Sequence, residues 1–248
     1  MARQLRKSDY RFFTGPITPG RTEITGDQGH HLLRVLRLKP DQQVLLVDGR
    51  GGVGKGRIVE LTHVGAVLEV ETVEQHPSRT QARINLVVSI SRGERFEWML
   101  EKCTELGVDA IFPTRFERTV KLAGGDKTQQ RWERICVGAL KQSRRLFLPE
   151  ISEPMAFNRV LEQLPLSIPG GRLLAGMLEG GDINEQLSVW QREDIVVIVG
   201  PEGDFTNQER KWLAAAGAVP VSVNEHTLRV ETAAVAFAAI LAQQRPGA

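Results

Sequence analysis

Two short stretches combine residue types suited to holding a ligand. In VIVGPEGDFTNQE (197–209) an apolar run ends at Gly200, Pro201 fixes φ, and Gly203 permits close backbone approach or a φ that other residues resist. Glu202 adds a carboxylate to the same turn, and Thr206 and Glu209 have capping-box spacing, so a helix should follow at once. Such a turn presents backbone amides and carbonyls at the carboxyl edge of a parallel sheet, where open α/β sheets bind ligands. In NEHTLRVETAAVAFAAILAQ (224–243) a polar loop leads through Leu228, Arg229, Glu231 and Thr232 into a helix of small apolar residues. A helix with almost no polar face is expected to be buried, against the rest of the chain or a second copy of it.

A third stretch looks chemical and is not. DGRGGVGKG (48–56) spells G-x-G-x-x-G with Gly49, Gly51 and Gly54, and nearly spells a phosphate-binding loop with Lys55. Phosphate is held there by the free N–H groups of a helix that begins directly after the glycines. Here RIVELTHVGAVLEVE follows, which is strand-like, so a glycine-rich hairpin is expected. There is no G-x-S-x-G and no H-E-x-x-H, and His30, His31, His63, His76 and His226 have no metal-ligand spacing with the cysteines. No metal is expected.

The 248 residues, 41% hydrophobic and 25% charged, suit a globular protein of one large domain or two modest ones. The longest apolar run, 233–242, is far short of the roughly 20 residues that span a bilayer. No apolar segment follows the basic N-terminus as in a signal peptide, and Cys103 and Cys136 fall on apolar helix faces as reduced thiols. A cytoplasmic protein without membrane contact is expected. The net charge of +2 conceals an uneven distribution: residues 115–148 carry nine Lys/Arg against three Asp/Glu, while 149–248 carry seven against thirteen. Residues 1–39 are basic as well, so these two segments are candidates for a face that meets a polyanion.

The elements that must position these residues divide at a polar stretch, 74–81. Before it, period-two patterns in 43–73 predict short antiparallel strands of a small β-barrel or sandwich. After it, strands over 84–91, 110–113, 173–178, 195–200 and 219–223 alternate with helices, which predicts a parallel sheet covered by helices. Phe96, Met99, Leu100, Cys103 and Leu106 share one helix face, with Ser91 and Glu94 as its capping box. A helix over 128–145 sets Trp132, Ile135, Cys136, Ala139, Leu140 and Ser143 on one face and Arg131, Arg134, Lys141 and Arg145 on another.

Six segments together, HHLLRVLRL, SRGERFEWMLEKCTELGVDAIFP, FERTVK, ALKQSRRLFLPEI, VGPEGDFTNQE and LRVETAA, resemble the bacterial 16S rRNA uridine N3-methyltransferases of the SPOUT superfamily over nearly the whole chain. The resemblance implies an α/β protein with an N-terminal PUA-like β-barrel (1–76) that binds RNA and a C-terminal SPOUT methyltransferase domain (82–248) with a trefoil knot. It also implies a homodimer acting on 16S rRNA of the small ribosomal subunit. Asp204 stands where that family commonly has glycine, Lys141 where it has an acid, and Asn224 and His226 where it has glycine and arginine.

The implied cofactor is S-adenosyl-L-methionine. Residues implied to hold it are Leu174, Ala175, Gly176, Val199, Gly200, Pro201, Glu202, Gly203, Val223, Asn224, His226, Leu228, Arg229, Thr232 and Ala233. Of the implied catalytic residues, Arg229 would stabilise negative charge on the uracil, and Glu202 and Glu231 would accept a proton or meet the cofactor amine. The expected RNA-binding residues are Arg3, Arg6, Arg11, Arg34, Arg37, Arg92, Arg118, Lys121, Arg131, Arg134, Lys141, Gln142, Arg144 and Arg145. Two alternatives remain open at this point: a methyltransferase of the same superfamily acting on a ribose 2'-hydroxyl, and an RNA-binding assembly factor without activity.

Overall fold

The computed structural model describes residues 10–91, 93–119, 126–188 and 192–245. The chain divides into two compact units, residues 1–78 with 140–147, and residues 79–139 with 148–248.

The first unit is built on β1 (Arg11–Phe13), β2 (Gly20–Ile24), α1 (Gly26–His30), β3 (Gln43–Val47), β4 (Gly52–Leu61) and β5 (Ala66–Gln75). Its five strands form one sheet in the order β1-β3-β4-β5-β2. The antiparallel expectation holds for β3, β4 and β5; β2 adds to β5 antiparallel, and β1 runs parallel to β3. Period-two burial follows from the sequence: Val44, Leu46, Ile58, Leu68 and Val70 meet Phe12, Ile24 and Leu32 in a single core. The glycine-rich stretch is a β-hairpin. Asp48 Oδ1 accepts from the amides of Arg50 (2.7 Å) and Gly52 (2.8 Å), and β4 starts at Gly52, so no helix follows the glycines. Gly51 has φ +92, and a Cβ there would lie 2.4 Å from the His76 carbonyl oxygen, which accounts for glycine at that position. HHLLRVLRL forms a π-helical turn, His31–Val35, continuing from α1.

In the second unit the elements are β6 (Ile84–Ser89), α2 (Glu94–Leu106), β7 (Ala110–Arg115), α3 (Asp126–Ser143, its residues from Leu140 onward counted in the first unit), β8 (Glu150–Ile151), β9 (Met155–Ala156), α4 (Phe157–Ser167), β10 (Arg172–Asp182), α5 (Ile183–Leu187), β11 (Ile195–Val199), α6 (Asn207–Ala215), β12 (Val219–Ser222) and α7 (Val230–Gln244). The sheet runs β12-β10-β11-β6-β7-β8, with β9 also on β7, and every pairing is parallel. Both sheet faces are covered, so its central strands read as continuous apolar runs. On one face Ile195, Val197 and Val199 pack with Leu86, Phe96, Met99, Phe237 and Leu241; on the other, Val196 and Ile198 pack with Phe157, Val160, Phe205 and Leu213.

One local expectation is corrected. Ser91 does not cap α2: Gly93 is the N-cap at φ +62, so Glu94 opens the helix and lies too early to close a capping box with Ser91. Helix α7 is buried through Ala234, Phe237, Ala238 and Leu241 against α2, β6 and β11, while Thr232 and Ala239 remain exposed.

The end of α7 is fixed by Arg245, which is 8% exposed. Its guanidinium donates to the carbonyls of Ala82 (3.1 Å) and Gly107 (2.6 Å) and pairs with Asp109, which also accepts from the Ile84 amide at 2.7 Å. Removing one member of a buried charged network leaves the other without compensation. Arg245→Met is therefore expected to destabilise the protein by about 3 kcal/mol in urea unfolding, and a loss below about 1 kcal/mol would show that this anchor does not hold the helix.

Candidate functional site

The register shared by three parallel strands breaks off at one level. Gly176 of β10 registers with Val199 of β11 on one side and with Val221 of β12 on the other. Beyond that level the backbone departs as a bulge (177–180), the GPEG turn (200–204) and the polar loop (223–229), and between them lies a cavity of about 430 Å³. Glycines shape it. A Cβ on Gly176 would lie 2.8 Å from the Phe237 ring, and one on Gly200 would lie 2.8 Å from the Phe205 ring, so the two aromatic rings form the floor only because those side chains are missing.

Each loop is fixed separately. In β10, Gly176 and Gly181 both register with Val221, so the four residues between them loop out without advancing along β12. In the GPEG turn the Asp204 amide donates to the Pro201 carbonyl at 2.9 Å, and Arg118 donates to the Gly203 carbonyl. Asp204 has φ +62, the left-handed region that glycine enters freely and that Asp tolerates better than most residues. The expected Thr206–Glu209 capping box is present. Glu209 is 2% exposed, and its carboxylate accepts from the amides of Thr206 and Glu117, each at 2.8 Å, tying the turn to the loop after β7. In the third loop Asn224 Oδ1 accepts from the His226 amide at 3.0 Å, so Asn224 makes its own turn.

The cavity gathers Gly176, Val199, Gly200, Pro201, Glu202, Gly203, Val223, Asn224, His226, Leu228 and Ala233. Leu174 and Ala175 lie deeper, buried in the sheet, and Arg229 and Thr232 are exposed beside the lining. Sequence reasoning missed the bulge residues Met177, Leu178 and Glu179 and the floor residue Phe237, because a bulge and a floor are set by pairing with distant strands.

It also missed Arg95. The Arg95 guanidinium lies 3.4 Å from Glu202 and 3.9 Å from Glu231. Glu231 is 6% exposed, and its Oε2 is buried with no hydrogen-bond partner among the described residues. Arg229 makes no ion pair among the described residues, whereas Glu202 and Glu231 both pair with Arg95. At the bulge, Arg210 holds the Glu179 carboxyl below the usual carboxylate range through a direct hydrogen bond. Among the described residues no group of three or more His, Cys, Asp or Glu could hold a metal ion, and no helix is long and apolar enough to cross a membrane.

The cations expected to bind RNA have mixed surroundings. Arg3, Arg6, Arg92 and Lys121 lie outside the described residues. In the first unit Arg34, Arg37, Gln142 and Arg144 are exposed and Arg11 and Arg145 half-buried; Lys141 is half-buried, meets Gln28 Oε1 at 3.4 Å, and has its ammonium pKa lowered by burial. In the second unit Arg134 is exposed, Arg131 pairs with Glu97 at 2.7 Å, and Arg118 is engaged with Gly203.

Comparison with known proteins fits this architecture. Residues 78–242 match an RNA methyltransferase domain, and residues 24–71 match an RNA methyltransferase PUA domain. Ribosomal RNA small subunit methyltransferase E of Synechocystis sp. is 33% identical over 90% of this chain and 74% of its own length; that of Mycobacterium bovis is 30% identical over 92% and 88%. The crystal structure of the Neisseria gonorrhoeae enzyme of the same name, bound to S-adenosylmethionine, superposes with a TM-score of 0.84 at 28% identity, covering 96% of this chain and 98% of that one. The fold is that of an RNA methyltransferase with an appended PUA domain. The chain belongs to the ribosomal RNA small subunit methyltransferase E family.

Glu209→Ala removes the acceptor for two amides and one half of the capping box. It is expected to cost about 2 kcal/mol in urea unfolding, with Glu209→Gln intermediate; equal stability of Glu209→Ala and the parent chain would contradict this account of the turn.

Proposed function

We propose that the protein transfers a methyl group from S-adenosyl-L-methionine to N3 of a specific uridine in 16S rRNA of the small ribosomal subunit. The observation that carries this reading is the cavity where the shared register of β10, β11 and β12 breaks off, in a chain of this family. Its volume suits a small-molecule site. Its lining suits the donor too: backbone groups and apolar side chains for an adenosine, with Glu202 for a cationic end.

When bound, S-adenosylmethionine supplies an electrophilic methyl group on a sulfonium. Gly176, residues 199–203, Val223, Asn224, His226, Leu228 and Ala233 hold it, with Leu174 and Ala175 supporting from below and Arg229 and Thr232 at the lip. Uracil N3 is a poor nucleophile until its proton leaves, so the chain must favour the anionic base. Arg229, free of ion pairs among the described residues, is the cation for negative charge developing on a uracil oxygen. Glu231 Oε2, buried without a partner, is the acceptor for the N3 proton, and Glu202 faces the donor's amine.

In this reading residues 1–76 form the RNA-binding domain and 82–248 the methyltransferase domain. The predicted RNA-binding arginines and lysines of each meet phosphate, and the target uridine is splayed out to reach the site. A trefoil knot in the C-terminal part belongs to the same reading. A homodimer is supported by the exposed small residues of α7, Thr232 and Ala239, and the cytoplasm is where such a substrate resides.

The test compares small-subunit rRNA nucleosides from cells with and without the gene, complemented by the parent chain or by Arg229→Ala. N3-methyluridine should vanish without the gene and return with the parent chain. Arg229→Ala should slow transfer in vitro about 100-fold while still binding S-adenosylhomocysteine. A methyl group found on ribose, or unaltered transfer by Arg229→Ala, would contradict the proposal.

A further inference from the structure

One guanidinium joins two walls of the cavity. Arg210, on the first turns of α6, directs Nη1 to the carboxylate of Glu179 in the β10 bulge and Nη2 to Asp204 Oδ2 of the GPEG turn at 2.5 Å. Its Nη1 also lies 3.8 Å from the sulfur of Met177, in the same bulge. Met177, Glu179 and Asp204 all line the cavity, whereas Arg210 stands behind them.

Both walls need such a tie. Residues 177–180 are extra length between two glycines that share one partner on β12, and none of the four has a register partner of its own. Asp204 occupies a left-handed conformation that most side chains avoid, and its carboxylate is used twice: Oδ1 accepts from the Phe205 amide at 2.6 Å and Oδ2 pairs with Arg210. The three side chains are 34%, 57% and 53% exposed, and ion pairs at such exposure contribute little to global folding. What they do is set the distance between two loops before a ligand arrives, which lowers the ordering that binding would otherwise require.

We propose that Arg210 is a positioning residue of the methyl-donor site, a clamp from α6 that holds the β10 bulge and the GPEG turn in the spacing that fits the donor. This rests on the reading of the cavity as the donor site. It assigns Asp204 a purpose as well: the side chain accepts a strained backbone conformation and in return gives the turn a point of attachment to α6.

The test is calorimetry of the full chain with S-adenosylhomocysteine, together with steady-state methyl transfer. Arg210→Gln should raise Kd for S-adenosylhomocysteine at least fivefold and raise KM for the donor likewise, with kcat at saturating donor within twofold and cooperative unfolding retained. Arg210→Lys, which keeps one charge, should recover part of that loss. Because Glu179 and Arg210 act as one unit, Glu179→Gln combined with Arg210→Gln should bind no more than twofold weaker than Arg210→Gln alone. A Kd for Arg210→Gln within fivefold of the parent chain overturns the clamp, as does a double variant whose loss is the product of the two single losses. If Arg210→Gln fails to fold, Glu179→Gln decides in the same way, since it breaks the same link from an exposed position. Absence of binding heat from the parent chain is a different result: it removes the donor-site reading, and the clamp with it.

Discussion

The site depends on three neighbouring parallel strands whose shared register breaks off at the same level. Gly176 is flanked by Val199 and Val221; beyond that row β11 has ended, and β10 pairs with β12 again only after the bulge, at Gly181 and Asp182. Unpaired amides and carbonyls have to be satisfied by turns, water or a ligand. This protein bends each chain away in a separately stabilised turn, which leaves a hollow walled by backbone. The floor follows from the same constraint, because Phe237 and Phe205 reach under the strand ends only where Gly176 and Gly200 have no Cβ.

Charge is arranged around that hollow to hold backbone in place. Arg118 fastens the Gly203 carbonyl, Arg95 joins Glu202 to Glu231, and Arg210 joins Glu179 to Asp204. The three cations come from the loop after β7, from α2 and from α6, so the rim is tied to elements on both faces of the sheet. Stability comes from elsewhere, from the two apolar layers on the sheet and from the buried Arg245–Asp109 anchor. A site whose loops are held by partly exposed ion pairs can adjust without risk to the core.

How much of this was legible in the sequence varied with how local the cause was. The buried strands β6 and β11 were plain as apolar runs, and the capping box of Thr206 and Glu209 read correctly because both halves lie within one turn of helix. The same pattern at Ser91 and Glu94 misled, since the φ of Gly93 shifts the helix start and spacing alone does not reveal it. Helix α4 and the short strands β1 and β2 left no clear periodic trace. The clamps around the cavity were invisible for a stronger reason: Arg210 and Glu179 are 31 positions apart, and Arg95 and Glu202 are 107 apart. The resemblance located the turn and the polar loop, but the bulge that completes the cavity exists only through the register of β10 on β12.

The central claim is that the exposed backbone beyond β10, β11 and β12 receives the methyl donor. A crystal structure of the full chain with S-adenosylhomocysteine tests it most directly. The account predicts the adenosine in the cavity, with polar atoms about 3 Å from main-chain groups of residues 199–203 and 223–228. Ligand density anywhere else on the molecule, or in the cavity without those main-chain contacts, would contradict it.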